Sequence, residues 1–91
     1  MPADASVWVF TGGGAFPSGV FTTRGKAGAW IAENGLTGTL TLYPLDTGMY
    51  QWAIARGYFK PTRDDQRRPD FISKFSCGHE HYHYEAGRLD A

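Results

Sequence analysis

The 91-residue sequence contains a single cysteine, Cys77, which excludes an intramolecular disulfide bond and suits a reducing compartment. No uninterrupted apolar run is longer than Val7–Phe10, which is far too short to cross a bilayer. The first residues, Met1–Ala5, have neither the basic start nor the apolar stretch of a secretory signal peptide. We therefore expect no membrane association and a cytoplasmic location.

The sequence also lacks an excess of charge of either sign. Nine basic and nine acidic residues give a formal net charge of zero, which argues against a general nucleic-acid coat or a polybasic membrane binder. Apolar residues make up 42% of the chain and aromatic residues 15%, enough to form one hydrophobic core. We predict a flexible leader over residues 1–5, a single domain over 6–87 and a polar tail over 88–91.

Signatures of catalysis and of cofactor binding are missing. The triple glycine Gly12–Gly14 follows a predicted strand, but it has neither the Gly-Lys-Ser/Thr ending of a phosphate-binding loop nor a helix directly after it. Ser18 has no strand–turn–helix nucleophile elbow around it. A histidine could activate the Cys77 thiol, but His79, two residues away on an extended chain, points the same way without having to touch it. We expect no cofactor and no enzymatic activity.

Hydrophobic periodicity and turn residues predict five strands and two helices in the order ββαβαββ. This order is typical of an α+β fold in which helices pack on a mainly antiparallel sheet. The predicted strands are Ser6–Thr11, Val20–Thr22, Thr37–Leu45, Asp70–Ser76 and His79–Glu85, and the predicted helices are Arg24–Asn34 and Gly48–Arg56. The polar segment between Tyr58 and Pro69 is predicted to be an exposed loop.

The apolar positions also predict which faces are buried. Both faces of Ser6–Thr11 are apolar, so we expect this strand to lie inside the sheet or to be covered on both sides. In the first helix Ala27, Trp30 and Ile31 share one face, which we expect to pack on the sheet. Thr23 is the predicted N-cap of that helix.

Three histidines alternate along the last predicted strand. His79, His81 and His83 point to the same side of an extended chain, where imidazoles could hold zinc or another divalent ion. Residues two apart on a strand are separated by about 6.6 Å, so three of them converge on one ion only if the strand bends. The competing interpretation is a polar sheet face that carries histidines without a metal.

A cluster of charged and aromatic side chains is the second candidate site. Basic residues near aromatic rings could bind nucleic acid, but the interspersed aspartates cancel much of the positive field. Mixed charge suits protein recognition better, and tyrosine and tryptophan are enriched in binding hot spots. The candidate partner-contacting residues are Tyr50, Trp52, Arg56, Arg63, Asp64, Asp65, Arg67 and Arg68.

Short aromatic and glycine-containing motifs extend over most of the chain, from about Val7 to Gly87. They are Trp8-Val9-Phe10, Phe16-Pro17-Ser18-Gly19-Val20-Phe21, Trp30-Ile31, Gly38-Thr39-Leu40-Thr41, Tyr43-Pro44, Trp52-Ala53-Ile54, Gly57-Tyr58-Phe59-Lys60-Pro61 and Glu80-His81-Tyr82-His83-Tyr84. With these motifs the chain resembles a family of short bacterial domains of unknown function. The resemblance implies no catalytic residue. Small domains of this kind look like immunity partners of polymorphic toxins.

These observations favour a non-catalytic protein-binding module, with a toxin domain as the expected partner and an immunity protein as the expected role. Two alternatives stay open. One is a metal-binding protein or metal-dependent enzyme that uses the three histidines. The other is a nucleic-acid-binding module that uses the basic segment over residues 56–68.

Overall fold

The structure, a computed structural model, describes residues 5–78 and 80–90. Its helices and strands follow each other along the chain as follows: β1 Ser6–Thr11, β2 Gly19–Phe21, α1 Arg24–Asn34, β3 Gly38–Pro44, α2 Met49–Ala55, a 3₁₀ helix Asp64–Arg67, α3 Pro69–Lys74, β4 His81–Glu85 and β5 Arg88–Leu89. The predicted α+β class and antiparallel sheet are confirmed. Within the described residues there are three α-helices rather than two.

These elements group into two compact units. Among the described residues, the first unit comprises 5–45, 78 and 80–90 and holds the sheet and α1, and the second comprises 46–77 and holds α2, the 3₁₀ helix and α3. None of the helices among the described residues has the length and apolar character needed to cross a membrane.

In the first unit the five strands are arranged in the order β2-β1-β3-β4-β5, and every neighbouring pair is antiparallel. Strand β1 lies inside the sheet, as its two apolar faces predict. The register pairs Trp8 with Leu42 and Phe10 with Leu40, so these side chains share one face. The core on that face consists of Trp8, Phe10, Ala27, Ile31, Leu40 and Tyr84, with Phe21, Trp30, Leu36, Leu42 and Tyr82 packed around it.

Helix α1 covers this core face. Ala27 and Ile31 are completely buried, which confirms the predicted apolar face of the helix. The hydroxyl oxygen of Thr23 accepts a hydrogen bond of 3.1 Å from the backbone N–H of Lys26, so Thr23 is the N-cap. Gly35 ends the helix in the left-handed conformation, at a φ of 61°.

The end of the sheet differs from the prediction. Residues 88–91 were predicted to be a polar tail, but Arg88 pairs with Glu85 and Leu89 with Tyr84 to form β5. Ala86 and Gly87 connect the two strands, and both have positive φ values, 50° and 85°, as a two-residue type I′ turn requires. Of the predicted leader, residues 1–4 lie outside the described residues. Ala5 accepts a backbone hydrogen bond from Leu45.

In the second unit the predicted strand Asp70–Ser76 is wrong, because most of that segment belongs to α3. Pro69 occupies the first turn of α3, where its missing N–H leaves no hydrogen bond unmade. Phe71 and Phe75 would share one face of a strand, yet their spacing of four residues also brings side chains together across one helical turn. Their ring centroids lie 6.2 Å apart.

Candidate functional site

The sheet face opposite the core carries the histidines. Strand β4 pairs His81 with Thr41 and His83 with Thr39, while Tyr82 and Tyr84 point to the core face. Both histidines are exposed. We call these four residues, Thr39, Thr41, His81 and His83, the histidine face. The prediction that His81 and His83 share one side of the strand is confirmed. His79 lies outside the described residues.

The two imidazole rings of the histidine face are in contact. Their centroids are 5.1 Å apart and their planes cross at 85°. Nδ1 of His81 lies 2.6 Å from the backbone carbonyl oxygen of Gly78, and Nδ1 of His83 lies 3.3 Å from the hydroxyl oxygen of Thr39. A carbonyl oxygen only accepts hydrogen bonds, so Nδ1 of His81 carries a proton and donates it.

Within residues 5–78 and 80–90, no three histidine, cysteine or carboxylate side chains gather closely enough to surround one metal ion. His79, the third member of the predicted three-histidine site, lies outside the described residues. Cys77 is half-buried and is not part of a disulfide.

Helix α2 and the residues after it place an aromatic and basic cluster on the surface of the second unit. Trp52 and Tyr58 have ring centroids 5.6 Å apart, and the guanidinium of Arg56 lies 5.2 Å from the centre of the Trp52 ring. Trp52 is half-buried, Arg56 is exposed, and Tyr58 is 49% exposed. We call Trp52, Arg56 and Tyr58 the α2 cluster.

The local sequence explains why the α2 cluster forms. Trp52 and Arg56 are four residues apart and therefore lie above each other on one side of the helix. Gly57 follows with a φ of 78°, and the left-handed conformation turns the chain so that Tyr58 folds back toward α2. The backbone N–H of Tyr58 then donates a hydrogen bond of 2.8 Å to the carbonyl oxygen of Ala53.

Tyr50 was predicted to contact a partner, and here the prediction is corrected. The side chain is only 8% exposed. Its ring packs against Phe59, Phe71 and Phe75 at centroid distances of 5.8, 6.4 and 5.7 Å, so Tyr50 forms the interior of the second unit. Tyr50 and Trp52 lie on different sides of α2, one inside and one at the surface.

The charged segment around the 3₁₀ helix is held by its own hydrogen bonds and ion pairs. Arg63 pairs with Asp65 at 3.1 Å, and Arg67 lies 3.8 Å from Asp64. The guanidinium of Arg67 also donates hydrogen bonds to the carbonyl oxygens of Arg63 and Pro61. Each aspartate of this segment thus offsets a neighbouring arginine, which reduces the positive field that nucleic acid would require.

A cleft of about 490 Å³ lies beside this segment. Its walls carry two acidic and two basic side chains, and two phenylalanine rings contribute to its floor. The lining residues are Asp65, Arg68, Asp70, Phe71, Lys74, Phe75 and Ser76. Because neither sign of charge dominates, the cleft selects neither an anion nor a cation.

A family model described as Domain of unknown function (DUF7710) matches residues 7–90 of the chain. No curated protein and no solved structure matches the chain. The match covers almost the whole chain, including the histidine face and the α2 cluster, and its description assigns a role to neither.

Proposed function

The chain belongs to the family described as Domain of unknown function (DUF7710), and we propose that it is a non-catalytic protein-binding module that contacts its partner through the α2 cluster. The observation that carries the proposal is that Trp52, which is half-buried, contacts two exposed side chains, Arg56 and Tyr58. Tryptophan, arginine and tyrosine are the three residue types most enriched among binding hot spots.

The geometry of the α2 cluster favours recognition because its side chains are held in place before a partner arrives. The tilted contact between the Trp52 and Tyr58 rings restrains both side chains before binding, so less side-chain entropy is lost on binding. Arg56 lies near the Trp52 ring and still has guanidinium N–H groups available for an acceptor on the partner.

The charges of the second unit indicate the chemistry of the partner. Between residues 46 and 77 the sequence has six basic and four acidic side chains, a surplus of two positive charges, although the whole chain is neutral. The partner that fits is a protein surface with an apolar side chain for the aromatic rings and a carboxylate for Arg56.

The resemblance to short bacterial domains makes a toxin domain the first partner to test. In that role the chain would be an immunity protein that binds the toxin and covers its active site. The alternative of a nucleic-acid-binding module receives less support, because Arg63 and Arg67 are paired with aspartates of their own segment.

The test compares three forms of the chain as affinity baits in extracts of the source organism, followed by binding measurements with the purified partner. We expect the wild-type chain to retain one protein that Trp52→Ala loses. Phe16→Ala is the matched control, because Phe16 is 83% exposed and belongs to the first unit. With the purified partner, Trp52→Ala should raise Kd by at least about thirtyfold, which corresponds to about 2 kcal/mol.

Three results would contradict the proposal: equal retention by wild type and Trp52→Ala, no specific protein with any bait, or binding to oligonucleotides with a steep salt dependence. The toxin role has its own test. Expression of the recovered partner alone should arrest growth, and co-expression of the wild-type chain, but not of Trp52→Ala, should restore it.

A further inference from the structure

We propose that His81 and His83 form a two-imidazole binding site for a late first-row divalent cation such as Zn²⁺. The site lies on the histidine face and does not depend on the proposed protein-binding function. Neutral imidazole is a preferred ligand of zinc, copper and nickel, whereas Mg²⁺ and Ca²⁺ require oxygen ligands. The chemistry of the pair therefore selects the late transition metals.

The spacing of the rings fits one shared ion. Two imidazoles on a tetrahedral Zn²⁺ have centroids about 5 Å apart, because each Zn–N bond is about 2.1 Å long. The centroids of His81 and His83 are 5.1 Å apart. The angle of 85° between the rings is compatible with this arrangement, since each imidazole can turn about its own metal–nitrogen bond. Both side chains are exposed, so an ion can reach them directly from solvent.

The hydrogen bonds of the two imidazoles are those of metal ligands. Nδ1 of His81 donates to the carbonyl oxygen of Gly78, which leaves the lone pair of the neutral ring on Nε2. Nδ1 of His83 lies 3.3 Å from the hydroxyl oxygen of Thr39, which can accept or donate; in the tautomer in which Nδ1 donates, Nε2 is available in the same way. Metal-binding histidines commonly donate their second nitrogen to a backbone carbonyl or another oxygen, which fixes the tautomer and the ring orientation.

Two protein ligands leave part of the coordination shell to water or to another ligand. Among the described residues no third ligating side chain joins the pair. We therefore expect one exchangeable ion per chain, with Zn²⁺ as the probe and no requirement of metal for folding.

The experiment titrates ZnCl₂ into the untagged full-length chain and follows heat release together with the imidazole ¹⁵N signals. We expect one Zn²⁺ per chain, with shifts of the His81 and His83 Nε2 signals. His81→Gln and His83→Gln should each weaken binding by at least about tenfold. Glu85→Gln, on the same exposed side of β4, is the matched control and should keep wild-type affinity.

Thr39→Val removes the hydroxyl beside His83 but leaves both imidazoles. It should weaken Zn²⁺ binding by about tenfold, within the range found for ligand-orienting partners. Unchanged thermal unfolding of the apo variants should show that the fold is intact. Failure of the wild-type chain to bind Zn²⁺ at micromolar concentrations would overturn the proposal, and so would unchanged affinity in His81→Gln.

Discussion

The hydroxyl group of Tyr50 donates a hydrogen bond of 2.9 Å to the backbone carbonyl oxygen of Gln66, and this bond ties α2 to the 3₁₀ helix. The Tyr50 ring meets three phenylalanine rings from the segments that follow α2. In this unit of short helices, one tyrosine thus contributes to the interior through both aromatic packing and a polar contact.

The first prediction separates these two contributions of Tyr50. Tyr50→Phe keeps the ring and removes the hydrogen bond, so it should lower the free energy of unfolding by about 1 kcal/mol. Tyr50→Ala removes the ring as well and should cost about 3–5 kcal/mol. Urea unfolding combined with hydrogen exchange over residues 46–77 measures both effects.

Phe16→Ala provides the control for loss of an aromatic ring. Phe16 is 83% exposed, so its removal should change the free energy of unfolding by no more than about 0.5 kcal/mol. Equal stability of Tyr50→Ala and Phe16→Ala would show that Tyr50 does not organise the second unit.

Most of the first unit could be predicted from the sequence because its signals are local and agree with one another. Strand β1 combines β-branched and aromatic residues on two apolar faces. Helix α1 has a threonine cap, an apolar stripe and a glycine stop, and the structure shows all three. Where propensity, periodicity and capping indicate the same element, tertiary contacts are not expected to override these local preferences.

The second unit was harder to predict because its apolar spacing fits two periods. Phe71 and Phe75 satisfy a strand period of two and a helical separation of four. Pro69 distinguishes the alternatives, since proline suits the first turn of a helix. The sequence signal for β5 was the Ala86-Gly87 turn, which was missed because the strand after it has only two residues.

The candidate site was predictable by residue type but not by side-chain environment. Trp52 and Arg56 follow from their spacing of four on a helix. The burial of Tyr50 depends on aromatic residues up to 25 positions away along the chain, which local periodicity does not reveal. The hydrogen bonds of His81 and His83 depend on Gly78 and Thr39, so the tautomer of His81 also required the structure.

The second prediction contrasts two glycines of the first unit. A Cβ at position 38 would meet the carbonyl oxygen of Thr11 and come within 2.7 Å of the Phe10 ring, both in the neighbouring strand. Gly38→Ala should therefore cost about 1–3 kcal/mol of unfolding free energy. Gly25 lies in the first turn of α1 with no atom within 4 Å of such a Cβ.

Gly25→Ala should stabilise the chain by about 0.5 kcal/mol, because alanine reduces the entropy of the unfolded chain and favours helix. Thermal unfolding of the two single variants tests the contrast. Destabilisation by Gly25→Ala, or tolerance of Gly38→Ala, would contradict the packing described for β1, β3 and α1.

The third prediction concerns the side chain of Gln66. Its Oε1 atom accepts hydrogen bonds from the backbone N–H groups of Thr62 and Arg63, at 2.8 and 3.1 Å. Gln66→Leu removes this acceptor and should speed amide exchange at those two positions by about fivefold, equivalent to about 1 kcal/mol. Gln66→Glu keeps an acceptor oxygen, so the amides of both residues should exchange at the wild-type rate. If the two variants exchange at similar rates, contacts other than those of the Gln66 side chain protect the backbone N–H groups of Thr62 and Arg63.

The fourth prediction tests whether Arg56 acts through its shape as well as its charge. Lysine keeps the positive charge but lacks the planar guanidinium, which lies near the Trp52 ring and is able to donate two parallel hydrogen bonds to a carboxylate of a partner. If the α2 cluster binds a protein partner, Arg56→Lys should raise Kd by about tenfold, mostly through faster dissociation. Surface plasmon resonance with the purified partner measures both rate constants.

Arg88→Lys is the matched control for that measurement, because Arg88 is exposed on β5 in the first unit. It should leave both rate constants unchanged. If both substitutions have an equally small effect at low salt, Arg56 contributes no more to binding than its positive charge. A contribution of that kind changes the association rate and fades as salt is added. Recognition would then depend on the aromatic rings of the α2 cluster, and loss of binding in Trp52→Ala together with retention in Arg56→Lys would identify that case.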